Sequence, residues 1–168
     1  MQRFIFLAIA SVAACLLCTA ADASTPVSFT LTAGALSISA PTVGVSLGSQ
    51  VASASSTEMT GSLGVVTVTD QRGGTTTWTA SVISTAFTPT AGPADPASNV
   101  SYAAGTITAS PTVTATAVAA SDLTGVTPVV TGASTGISSA SWNPVLSVLV
   151  PGDFAPGVYV ATVTHSVA

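Results

Sequence analysis

From about residue 27 to its end the chain repeats one pattern, a short run of Thr, Val, Ile and Leu followed by a turn of Gly, Pro or Ser. The runs are too short for helices, and no apolar period of 3.6 residues links them. Successive side chains of a strand point to opposite faces, so alternation along VSFTLT (27–32), ALSIS (35–39) and VGVSL (43–47) predicts strands with one wet and one dry face. Residue types agree. Thr and Val are stiff at χ1 and suit a pleated surface. Lysine is absent, and Glu, Gln and Arg are rare, so surface helices lack their usual residues.

LGVVTVT (63–69) is predicted to be a strand, with Gly73-Gly74 as a turn and TTTWTASVI (75–83) as its hairpin partner. Gly48 to Thr60 reads as a small-residue linker and AGPADPAS (91–98) as a loop. ASNVSYAAGTITAS and PTVTATAVA supply two or three strands, and VLSVLV (145–150) supplies another. GVYVATVTHSV (157–167) closes the chain, with Tyr159, Ala161, Val163, His165 and Val167 on one face. The expected fold is all-β, a single antiparallel β-sandwich. Edges without Lys invite strand addition from other chains, so self-association is expected too.

The first residues differ. Arg3 precedes an apolar run from Phe4 to about Leu17, and Ala21-Asp22-Ala23 supplies a small-x-small site. This reads as a secretory signal peptide over residues 1–23, cut after Ala23, leaving one domain over 24–168. The run is shorter than the roughly 20 residues that a membrane-spanning helix needs. A lipoprotein box at Val12–Cys15 is the alternative, but the apolar run continues past Cys15. Both cysteines, Cys15 and Cys18, lie in this segment, so the exported chain is expected to have no disulfide. No second long apolar segment follows, which predicts a secreted protein without a transmembrane segment.

In the expected mature chain Arg72 is the one base, against Glu58, Asp70, Asp95, Asp122 and Asp153. Nucleic acids and anionic lipids need clustered Lys and Arg, so neither is an expected partner. His165 is the one histidine, and no His/Cys cluster has ligand spacing, so no metal or other cofactor is expected. Nucleophilic catalysis lacks a nucleophile motif near that histidine. The five acids suggest no general acid–base pair, so the domain is expected to be non-catalytic. Asn99-Val100-Ser101 is a glycosylation sequon of a kind that arises by chance.

One stretch stands out, TDQRGGTTTW (69–78), where an acid, a base and a large aromatic come together. Asp70 and Arg72 are placed to bond the backbone groups of a turn, and Arg72 to lie over the Trp78 ring. Trp142 reads as a core anchor. Trp78 is open between core and ligand contact, because a neutral Thr/Ser surface with an exposed aromatic suits a glycan.

LGVVTVTDQRGGTTTWTASVISTAF resembles the proximal segment of the WxL surface-protein domain, with Asp70, Arg72, Gly73, Trp78 and Phe87 matching and Ala80 at the Leu position. At the distal motif Tyr159, Val163 and Thr164 match, while His165 replaces Trp and Val167 replaces Leu. LTAGALSISAP and SWNPVLSVLVPGDFAPGVYVATVTHSVA look like a WxL-like branch from high-GC Gram-positive bacteria. The resemblance runs from about Phe29 to Ala168. It implies an exported domain that attaches non-covalently to peptidoglycan or an attached glycopolymer and joins surface assemblies. Trp78, Asp70, Arg72, Tyr159 and His165 are the binding residues it suggests.

Overall fold

The structure is a computed structural model that describes residues 23–168. The signal-peptide and lipoprotein expectations fall on residues 1–22 and lie outside the described residues. Residues 23–31 carry no regular secondary structure. From Thr32 onward the chain is all-β: β1 (Leu36–Ser39), β2 (Thr57–Ser62), β3 (Val66–Asp70), β4 (Thr75–Ser84), β5 (Thr88–Pro89), β6 (Val100–Ala103), β7 (Ile107–Ala109), β8 (Val113–Ala117), β9 (Thr127–Thr135), β10 (Ser138–Trp142), β11 (Val145–Val150), β12 (Tyr159–Val160) and β13 (Val163–Val167). A single 3-10 turn at Ala97–Asn99 interrupts them.

Two four-stranded sheets, β1-β3-β10-β7 and β13-β4-β9-β8, form the sandwich, joined by a three-stranded sheet β2-β11-β6 and a small pair β12-β5. Every named pairing is antiparallel. At the sandwich margins β1 lies beside β13 and β7 beside β8. The all-β expectation is met, and the packed antiparallel sheets agree with a β-sandwich.

Alternation decides what goes inside. Val66 and Val68 of β3 and Trp78, Ala80 and Val82 of β4 are buried, while the residues between them are more exposed. With Val100, Tyr102, Val129, Val130, Trp142, Leu146 and Val148 they make one apolar cluster. Burying each Val or Leu side chain stabilises the fold by roughly 1.5–3 kcal/mol. Val129 and Val130 are neighbours, yet both are fully buried. The β4–β9 register shifts between Ala80 and Ser81, where a bulge inserts one extra residue on β9.

Several local expectations fail. β3 and β4 do not form a hairpin: β3 pairs with β1 and β10, and β4 pairs with β13 and β9. The Asp70–Gly74 link instead crosses from one sheet to the other. Gly73 and Gly74 take positive φ of 71° and 68°, which L side chains rarely adopt. β9 and β10, absent from the strands expected above, make a second crossing, and Gly136 N–H bonds Gly74 C=O at 2.6 Å. The two crossings therefore support each other. Residues 27–32 and 43–47 are not strands, and β2 lies partly within the expected linker. The last strand is split, because Thr162 turns to Thr85 (amide to Oγ1, 2.9 Å) between its pairings with β5 and β4.

Candidate functional site

The Asp70–Arg72 pair sits at the β3–β4 crossing. The Asp70 side chain is fully buried. Its Oδ1 accepts from the Arg72 backbone amide at 3.1 Å and from Nε at 2.9 Å. Its Oδ2 accepts from Arg72 Nη2 at 2.9 Å and Thr76 Oγ1 at 2.7 Å. Arg72 Nη2 also donates to Thr77 C=O at 2.9 Å. The Arg72 hydrogen bonds, against the opposing effect of burial, hold the Asp70 carboxyl far below the usual carboxylate range. This carboxylate joins the end of one sheet to the start of another, and every hydrogen bond on it comes from its own corner.

Trp78 is buried, 3% exposed, and belongs to the core. Its ring packs on Gly132, where any Cβ would run into the indole. The guanidinium of Arg72 turns to the Thr77 carbonyl, and the aromatic and cationic contacts do not include an Arg72–Trp78 stack. Of the two readings open for Trp78, the core one is met by this burial, and the residue also lines a shallow depression over Gly132. The tryptophan faces inward because it shares the alternation of Ala80 and Val82.

His165, on β13, is half-buried and meets Tyr102 edge-on, with ring centroids 5.7 Å apart. Trp142 Nε1–H donates to the Tyr102 hydroxyl at 2.8 Å. The same hydroxyl lies 3.2 Å from His165 Nε2, in a hydrogen bond whose donor is set by the imidazole tautomer. Burial lowers the His165 pKa below 6.5 and pushes Tyr102 up to about 12. The lone histidine completes a core hydrogen-bond chain.

Tyr159 lies elsewhere. It stacks on Phe154, centroids 5.8 Å apart, and its hydroxyl donates to Ala155 C=O at 2.9 Å. Both rings line a groove of about 680 Å³ with Val45, Leu47, Val148 and Val150. Asp95 also lines it, 1% exposed. Its Oδ1 accepts from Asn99 Nδ2 at 2.6 Å, while Oδ2 has no partner. Burial raises the Asp95 pKa, against the opposing effect of Asn99. The sequon asparagine is therefore engaged by a buried carboxyl.

The five suggested residues do not converge. Asp70 and Arg72 hold a corner, Trp78 and His165 serve the core, Trp78 also lines a depression over Gly132, and Tyr159 lines a groove. The acids are also dispersed. Asp70 and Asp95 lie beyond opposite ends of β4, Glu58 is on β2, Asp122 closes a turn onto Thr124, and Asp153 follows β11. Among the described residues no three His, Cys, Asp or Glu gather as a metal site.

Sequence reasoning missed two surfaces. One is the groove, hidden because 43–47 reads as a strand. The other is the outer face of β13-β4-β9-β8. There Thr77 and Thr79 stand beside Thr131 and next to Thr114 and Thr116, around a depression over Gly132. The signal for it was the T-x-T spacing in TTTWT and TAT, which puts hydroxyls on one face. No protein-family model, curated protein or solved structure matches the chain.

Proposed function

We propose that this is a non-catalytic, exported cell-surface domain that associates non-covalently with wall glycan, either peptidoglycan or an attached glycopolymer. The observation that carries the reading is the uncharged hydroxyl face on β4, β8 and β9. Thr114, Thr116 and Thr131 are exposed there around the depression. Each hydroxyl both donates and accepts, as sugar hydroxyls do, and their methyl groups suit the apolar faces of sugar rings. The WxL resemblance points to the same class of ligand.

Co-sedimentation with purified Gram-positive sacculi tests this. Wild type should pellet saturably, and Thr116→Glu/Thr131→Lys, an opposite-charge cross-strand pair, should stay in the supernatant while unfolding near the wild-type urea midpoint. A wild type that stays soluble, or a double variant that pellets equally, would sink the reading. A second reading, a structural subunit that assembles through strand edges with itself or a partner, is favoured by the lysine-free outer strands β8 and β13.

A further inference from the structure

Between β5 and the 3-10 turn, Asp95 is followed by Pro96. Proline makes this peptide link a tertiary amide, whose nitrogen takes a proton and leaves more readily than that of a secondary one. The Asp95 side chain can reach its own main-chain carbonyl carbon by closing a small ring, a proximity fixed by covalent structure. The fold holds both halves of the link. Asp95 C=O accepts from Phe87 N–H at 2.8 Å, and Asp95 N–H donates to Phe87 C=O at 2.9 Å. Asn99 Nδ2 donates to Asp95 Oδ1 at 2.6 Å, and Asn99 N–H donates to Pro96 C=O at 3.0 Å. Asp95 Oδ2 is enclosed without a partner. A buried polar atom left unpaired in a native fold calls for an explanation, and chemistry is one. No hydrogen bond or water shell has to be stripped from Oδ2 before it forms a new bond.

We propose that Asp95 cleaves its own peptide bond to Pro96, dividing the chain into two parts that stay folded together. Oδ2 of the protonated carboxyl attacks the Asp95 main-chain carbonyl carbon. A C–O bond forms as the C–N bond breaks, and the carboxyl proton passes to the Pro96 nitrogen. The products are a cyclic anhydride on Asp95 and a free prolyl amine. Water then opens the anhydride to the two carboxyls of a C-terminal Asp95, so the sum is a hydrolysis with no oxidation or reduction. The Phe87 N–H is placed to stabilise the charge that develops on the carbonyl oxygen.

Burial, against the opposing effect of Asn99, raises the Asp95 pKa, so this carboxyl keeps its proton at a pH where an exposed aspartate has lost it. The segments bonded to the corner bring Phe87 and Asn99, neither of them charged, and the groove lining adds no other charged side chain. The remaining titratable group of that lining is the Tyr159 hydroxyl, which is bonded to Ala155 C=O. Pairings β3–β10, β2–β11, β5–β12, β4–β13 and β4–β9 all join the part before the cut to the part after it. The event happens once per molecule and needs no glycan, so it goes beyond wall association and does not rest on it.

Incubation of the whole chain at about pH 5, where the lowered Asp70 pKa keeps its corner ionised, tests this beside the same chain unfolded in urea at that pH. Denaturing gels and mass spectrometry read the products, and circular dichroism reads the fold. The folded chain should give parts that end at Asp95 and begin at Pro96, at least about tenfold faster than the unfolded chain, which has the same bond without the corner. The parts should elute together from a sizing column in native buffer. Asp95→Asn, isosteric but with a poor nucleophile, should stay whole. Pro96→Ala keeps the carboxyl but leaves a secondary amide, and it should be cut at least about tenfold more slowly than wild type. Cleavage no faster in the folded chain than in the unfolded one, termini at another bond, parts that separate in native buffer, or either variant cut at the wild-type rate would overturn the proposal.

Discussion

Asp70 accepts four hydrogen bonds, three of them from Arg72. Its carboxylate is stabilised in the folded state, so the folded pKa lies below the ordinary 3.8. A depressed carboxyl pKa contributes stability that is present above the unfolded value and lost as pH falls through the folded one. The Asp70 contribution, read as the difference between the wild-type and Asp70→Asn urea midpoints, should therefore hold down to about pH 5 and shrink steadily below about pH 4. Asp70→Asn should be less stable at neutral pH and show a flatter acid profile. Arg72→Ala, by leaving a buried carboxylate without its main donor, should lower the neutral midpoint, and a midpoint equal to wild type would exclude the pinning role. At Gly132 steric collision takes the place of charge. A methyl there meets the Trp78 ring, and Gly132→Ala should cost about 1–3 kcal/mol in chemical unfolding. Adding Trp78→Phe should recover part of that loss, a non-additivity expected only of residues in contact.

Elements show how little a local pattern says about partners. The alternation in 63–69 and 75–83 identifies both strands, and the glycines between them identify a reversal. A hairpin and a sheet crossing share that local pattern. The choice fell to Val66 and Val68, which pack with Ala140 and Trp142, and to Asp70, which ties the corner shut. β9 was harder to see, because TPVVTGAST breaks its alternation at the Val129–Val130 bulge and again at Gly132. At the chain's last strand, His165 couples β13 to Tyr102 of β6, which in turn is held by Trp142 of β10. The folded His165 pKa lies below 6.5 because burial disfavours the cation. Folding therefore favours the neutral ring. Stability from this site is complete above pH 6.5 and falls as pH drops through the folded value. Amides of β13 should lose hydrogen-exchange protection between about pH 7 and pH 5, after correction for intrinsic rates. A Tyr102→Phe variant, which has lost the hydroxyl, should show a smaller change. Equal protection at both pH values would exclude the coupling.

At the scale of the molecule, the paired crossings close one end of the sandwich, and the threonine face is the proposed glycan contact. An uncharged hydroxyl face binds without ion pairs, so pelleting with sacculi should change little, less than about twofold, between low salt and about 1 M salt. Strong salt sensitivity would point to a charged contact and against the threonine face. The sequence alone determined the all-β class and the inward valine side of β3, because a strand's two-residue period is a local property. It also determined that Trp142 is a core anchor and that Asp70 and Arg72 hold a turn, since both follow from residue chemistry over a few positions. Only the tertiary structure decided that β3 and β4 part into different sheets, that Trp78 lies over Gly132, that His165 ends a hydrogen-bond chain, and that Tyr159 opens onto a groove. Those outcomes depend on contacts between residues far apart in sequence, where shape, register and burial choose among partners that a local pattern leaves equivalent.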